Sequence, residues 1–266
     1  MKIYEIRDAE NDLSIGTLLY YSQNGDCIIE LQEYLDEWNA PLLFTGLVKE
    51  KIFTVPRELS FLWVKERVIP SGRQNIDSIL KTHRLKEYDE MRFLELSEGK
   101  CCQDHLYMKR MDSLPDYVLD RQGRNVIECF LRENNTLLCF FADDTVRKVN
   151  LSELSQMEGV DKILDNPLLY RSGKVGTGGY FITFNDSIDI PASVLYRAGT
   201  ILPVTLQDFL EFAQNNLFDT TQSCELLECS RQNLSYLQKQ KKITPVKQNV
   251  KGNLYRKGDV LKLSWL

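Results

Sequence analysis

Short stretches of alternating apolar and polar residues dominate the first two hundred positions. Residues 2–7, 14–21 and 27–31 each read as a strand, because alternation places one apolar set on one face. The last two are separated by Ser22-Gln23-Asn24-Gly25-Asp26, where Asn-Gly marks a hairpin turn. Helical spacing appears over residues 75–80, after Pro70-Ser71-Gly72, and over 87–96, where Gly99 ends the pattern. A break at Ser113-Leu114-Pro115-Asp116 precedes three strands, 125–132, 136–141 and 146–151, joined by short polar turns as in an antiparallel meander. A helix over 160–164, strands over 180–184 and 188–190, and a helical turn over 192–197 follow. Residues 205–214 form a capped amphipathic helix: Thr205 is the cap, Asp208 sits near the positive end of the dipole, and Leu206, Phe209, Leu210, Ala213 and Leu217 make one stripe. That stripe suits docking on the preceding region or pairing with a second copy in a homodimer. The expected class is therefore α+β, with mostly antiparallel sheets: a domain over 1–114, a smaller one over 115–202, a linker helix over 203–218 and a last domain over 219–266.

The last domain has a different pattern. A short helix over 221–227 and a second helix capped by Ser230 bracket a tight turn, and a basic hairpin follows. Leu226, Leu234 and Leu237 belong to its small core, with Cys229 apolar in the turn. Arg231, Gln232, Ser235 and Tyr236 are left on the outer face near the start of the second helix. Residues 231–266 hold nine Lys/Arg against the single acid Asp259, a net +8 in a chain of net −5, so residues 1–230 carry −13. A cationic module on an acidic body is the electrostatic footprint of a DNA-binding domain carried by a part that does not touch DNA. Arg donates two hydrogen bonds to guanine and Gln pairs with adenine, so Arg231, Gln232, Ser235 and Tyr236 are the candidate base contacts. Lys239, Lys241, Lys242, Lys247, Lys251, Arg256 and Lys257 are the candidate phosphate contacts.

The run Leu226-Leu227-Glu228-Cys229-Ser230-Arg231-Gln232-Asn233-Leu234, with Leu237, a basic wing around Lys251-Gly252-Asn253 and a closing Asp259-Val260-Leu261, resembles the MerR/excisionase-type winged helix-turn-helix group over about residues 220–263. Glu228-Cys229 stands where that group has a Gly-apolar turn. The resemblance implies double-stranded DNA as ligand. Phe141-Ala142-Asp143, Leu164-Asp165-Asn166-Pro167, residues 184–190 and Leu195-Tyr196 resemble a small bacterial α+β domain family found near helix-turn-helix and toxin–antitoxin genes, which implies no chemistry. There Asp144 replaces a turn Gly. Ile15-Gly16-Thr17-Leu18, Pro70, Arg73 to Ile76, Tyr88-Asp89 and Gly99 resemble the amino-terminal subdomain of HipA-type toxin kinases, without the kinase body. Together these imply a transcriptional regulator with a partner-sensing head. The other reading is a protein-binding inhibitor or antitoxin-type adaptor whose acidic head suits a basic partner and which represses its own promoter.

Composition narrows the remaining classes. The seven cysteines are odd in number and irregularly spaced, and no apolar run follows a basic start, so reduced thiols in the cytoplasm are expected. No run approaches the roughly 20 apolar residues of a membrane span. Cys101-Cys102-Gln103-Asp104-His105 is the one dense group of reactive side chains, and it fits no common zinc spacing. Ser172-Gly173-Lys174-Val175-Gly176-Thr177-Gly178-Gly179 lacks the phosphate-loop spacing and reads as a flexible turn. No enzyme activity, metal or cofactor is expected.

Overall fold

A computed structural model describes residues 1–216, 219–226 and 229–240. The fold is α+β. The first half builds β1 (Lys2–Asp8), β2 (Leu13–Tyr21), β3 (Asp26–Leu31), α1 (Thr45–Lys49), β4 (Thr54–Val55), α2 (Arg57–Arg67), α3 (Ile76–Thr82), α4 (Glu90–Leu96) and β5 (Leu106–Met111). Its sheet is antiparallel, in the order β4-β3-β2-β1-β5. The expected hairpin forms, with Tyr21 opposite Asp26 and Gly25 at φ 75°, a value that favours glycine. Gly16 is needed for a different reason: a side chain there would collide with the Glu30 carbonyl of the neighbouring strand.

β2 is apolar on both faces, which is why the sheet is covered on both. On one face Tyr4, Ile6, Leu18, Ile29 and Leu31 pack against Trp63 and Val64 of α2 and Met91 and Leu94 of α4. The other face, with Ile3, Leu19, Tyr21 and Ile28, packs against Val118, Tyr180 and Phe181. Those three belong to the second half of the chain, so the two halves share a core.

The second half contains α5 (Asp116–Gln122), β6 (Val126–Arg132), β7 (Thr136–Phe141), β8 (Val146–Asn150), α6 (Val160–Asp165), α7 (Pro167–Arg171), β9 (Lys174–Val175), β10 (Phe181–Phe184), β11 (Ile188–Pro191), α8 (Ala192–Ala198) and β12 (Thr200–Leu202). The meander forms a sheet in the order β12-β8-β7-β6, and a three-stranded sheet β11-β10-β9 lies beside it. Leu137, Cys139, Phe141, Ile182, Phe184, Ile163 and Leu195 are fully buried between them. The Asn166-Pro167 corner is a helix start: Asn166 accepts from the backbone N–H of Leu168 and Leu169, and Pro167 takes the first turn, where its missing N–H costs nothing. Asp144 stands at φ 63°, the conformation its turn demands.

Residues 173–179 differ from the flexible turn expected of them. Lys174 and Val175 pair with β10, Asn125 Nδ2 donates to the Gly178 carbonyl at 3.0 Å, and Gly179 lies too close to the Val126 carbonyl to admit a side chain. The glycines serve close packing at the joint between the halves. Thr177 there donates to Asp26 and accepts from Asn24 Nδ2 at 2.7 Å, and Arg57 Nε lies 3.0 Å from Asp189 Oδ2.

Against β1 of the first sheet, Glu95 of α4 accepts from Lys2 Nζ at 2.7 Å and from the Tyr4 hydroxyl. Burial pushes its pKa up, but the hydrogen bonds from Lys2 and Tyr4 and the fields of Lys2 and Arg92 outweigh this and hold it below the usual range. A depressed folded pKa gives stability that is present above the unfolded value and lost as pH falls through the folded one. Glu95→Gln is expected to cost about 1 kcal/mol near neutral pH, because the group is partly exposed. The difference from the parent should begin to narrow below about pH 4, the unfolded value, and close as pH falls through the lower folded one; urea unfolding of both proteins across this range measures it.

Candidate nucleic-acid interface

Three helices follow the joined halves: α9 (Leu206–Asn216), α10 (Thr220–Leu226) and α11 (Arg231–Lys239). α9 begins as its sequence requires. Asp208 N donates to Thr205 Oγ1 at 3.1 Å, and Thr205 N donates to Asp208 Oδ2 at 2.9 Å, a reciprocal cap. Leu206 is buried, and the Phe209 ring lies 6.2 Å from Phe140 on the outer side of the meander. Docking on the preceding region thus occupies the front of the stripe. Leu217 lies outside the described residues.

α10 carries the same device. Gln222 N donates to Asp219 Oδ1 at 2.8 Å and Asp219 N donates to Gln222 Oε1 at 3.0 Å. The chain then turns, with Cys229 N donating to the Cys224 carbonyl at 2.9 Å, and enters α11 through Ser230, whose Oγ accepts from Asn233 N at 3.2 Å. Arg231 Nη2 donates to Thr221 Oγ1 at 3.2 Å, which ties the start of α11 to the start of α10.

Along α11 Leu234 and Leu237 are half-buried, whereas Arg231, Gln232, Ser235, Tyr236 and Lys239 are exposed, Tyr236 by 57%. At about 100° per residue these five fall within an arc of roughly 140°. One helix face thus presents two cations, an amide, a hydroxyl and a phenol, with apolar residues on the other side. The guanidinium keeps donors free after bonding Thr221, since Arg has five N–H groups.

No protein-family model, curated protein or solved structure matches this chain. The resemblances drawn from the sequence therefore rest on the quoted residues alone.

Of the predicted contacts, Arg231, Gln232, Ser235, Tyr236 and Lys239 are brought together on α11. Lys241, Lys242, Lys247, Lys251, Arg256 and Lys257 lie outside the described residues, as do Leu227, Glu228, the expected wing and the closing helix over 259–263. Among the described residues, no group of three or more His, Cys, Asp or Glu is placed to hold a metal, and no helix is long and apolar enough to cross a membrane. The Cys101–His105 group is a surface loop: Cys101 Sγ donates to Asp104 Oδ1 at 3.6 Å, while Asp104 also pairs with Arg67 and the exposed His105 is 3.7 Å from Glu10. Among the described residues no cysteine forms a disulfide.

The sequence reading assigned nothing to residues 32–69. That span supplies Trp38, Leu42, Trp63 and Arg67, which line a cavity of about 710 Å³. A Trp inside the polar turn Asp36-Glu37-Trp38-Asn39 was the available signal, since an aromatic in a loop gains nothing from exposure to water.

Proposed function

We propose that this chain is a cytoplasmic, sequence-specific double-stranded DNA-binding protein, a transcriptional regulator whose acidic head engages a partner. Support comes chiefly from one observation, the exposed arc of Arg231, Gln232, Ser235, Tyr236 and Lys239 on a capped helix leading into a strongly cationic tail. In this reading α10 crosses the sugar–phosphate backbone and α11 lies in the major groove, with its first residues on base edges. Lys239 and the six cations of the tail neutralise phosphates. The body over residues 1–218, net −10, repels DNA and so orients approach through the tail. A homodimer on paired half-sites is the natural assembly, because one small module has limited specificity; sedimentation showing a strict monomer, with and without its DNA site, would remove it.

Selection from a randomised duplex pool tests the reading. An enriched sequence is expected, and Arg231→Ala should weaken binding to it by about 1–3 kcal/mol while relaxing choice at one base pair. Enrichment of nothing, or a preferred site that Arg231→Ala leaves untouched in affinity and choice, contradicts the assignment.

A further inference from the structure

A cavity lies between the 38–43 segment, α2 and residues 103–106. At about 710 Å³ it falls within the size range of ligand pockets. Its floor is Trp63 with the Arg67 guanidinium stacked 4.0 Å above the ring. Both are nine-tenths buried or more. Arg67 is held by Asp104, yet Arg67 Nε and Trp63 Nε1 have no hydrogen-bond partner among the described residues. Two buried donors without acceptors are costly, about 1–3 kcal/mol each. Both atoms are shielded from solvent, so an incoming acceptor reaches them only if the side chains over them move.

The rim is of opposite character. Trp38 is 95% exposed and Leu42 is 93% exposed, the two most exposed large apolar side chains among the described residues. They are held rather than trailing. Asp36 Oδ1 accepts from the N–H of Trp38 at 2.9 Å and of Asn39 at 3.1 Å, and Asn39 Oδ1 accepts from Asp36 N at 2.8 Å. Phe44, two residues past Leu42, is fully buried and anchors the other end. A Trp presented from a hydrogen-bonded turn beside a cavity has the position of an interface hot spot.

Charge selects the occupant. Asp8, Glu66 and Asp104 line the cavity against the single cation Arg67, with Asp36 and Glu37 flanking Trp38. Asp8 is kept ionised: burial raises its pKa, but hydrogen bonds from Asn11 and from the backbone of Glu10 and Asn11 outweigh that and lower it. Asp104 is taken up by Arg67, so an anionic ligand would meet Asp8 and Glu66, whereas a cationic one finds complementary charge.

We infer that this cavity seats a basic segment of a partner protein, which lays an apolar side chain between Trp38 and Leu42, sets Lys or Arg against Glu66 and Asp8, and brings a backbone carbonyl to the Trp63–Arg67 floor. This gives the head's partner-binding role a place and a chemistry, and it holds whether or not the tail binds DNA.

The test is selection from a phage-displayed library of random linear peptides on the full-length protein. Enriched peptides should pair Lys or Arg with Leu, Phe or Trp. Their affinity should fall about tenfold or more in Trp38→Ala and in Leu42→Ala. Glu66→Lys should weaken them too, and the Trp63 indole N–H resonance should move on binding. Trp38 and Leu42 are almost wholly in solvent, so these variants fold. Recovery of no peptide, of acidic peptides, or of peptides indifferent to both rim substitutions overturns the inference. DNA affinity read on the same samples keeps the two proposals apart, since rim variants should bind DNA like the parent.

Discussion

Arg121→Ala is expected to lower the unfolding free energy by about 3–5 kcal/mol, the range for breaking one side of a buried ion pair. Glu30 is completely buried on the face of β3 turned toward the second half, and Arg121 Nη1 of α5 reaches its Oε2 at 2.8 Å. The same guanidinium donates to the Phe53 carbonyl at 3.2 Å and to Glu33. Burial raises the Glu30 pKa, and the charge and hydrogen bond of Arg121 pull it partly back. Removing Arg121 leaves a carboxylate with neither water nor a countercharge, so its pKa rises further. A raised folded pKa means stability that is full below the unfolded value and lost as pH climbs through the folded one. The deficit of Arg121→Ala should therefore be largest at neutral pH and shrink as the solution is acidified. Adding Glu30→Gln to Arg121→Ala should restore part of the loss, because the buried charge is gone. Urea unfolding of the parent, Arg121→Ala, Glu30→Gln and the double variant at two pH values measures this. A loss below about 1 kcal/mol, the value of a surface pair, would mean that the two halves are not locked through Glu30.

Removing residues 219–266 should abolish DNA binding and leave the joined halves folded. The cores of both halves, and the core they share, are made of residues before 196. Leu206 and Phe209, which seat α9 on the meander, also remain. The unfolding midpoint should change little, because the described part of the removed segment adds no residue to these three cores. The remaining chain is the acidic part, which DNA repels. Circular dichroism and fluorescence anisotropy on the shortened chain decide the matter; retained affinity would move the interface into the head.

Alternation and turn chemistry were enough to place most strands, including the Asn24-Gly25 hairpin and the meander over residues 126–150. Caps were legible too: Thr205 with Asp208, Ser230, and the Asn166-Pro167 corner all do what their side chains suggest. α2 was missed because Ser60 interrupts its apolar stripe. That hydroxyl faces the sheet, where it accepts from Ile29 N at 3.0 Å and donates to the Val55 carbonyl, so a polar residue sits on the buried side. β5 was missed because Lys109 and Arg110 follow one another in a strand at the sheet edge. The shared core could not be read from local pattern, since its members lie at 3–28, 118 and 180–181. The same holds for the cavity, whose lining is drawn from residues 8 to 106. On α11 the sequence separated outer from inner residues correctly, because 3.6 residues per turn and two leucines suffice to orient one short helix.

The most direct measurement is the affinity of the full-length protein for a mixed-sequence duplex as a function of salt. The account predicts a linear fall of log K with log salt, steepening by about 0.9 for each phosphate neutralised, to a limit of about 6 if all seven candidate cations engage. A slope near zero, or no binding even at low salt, would contradict it.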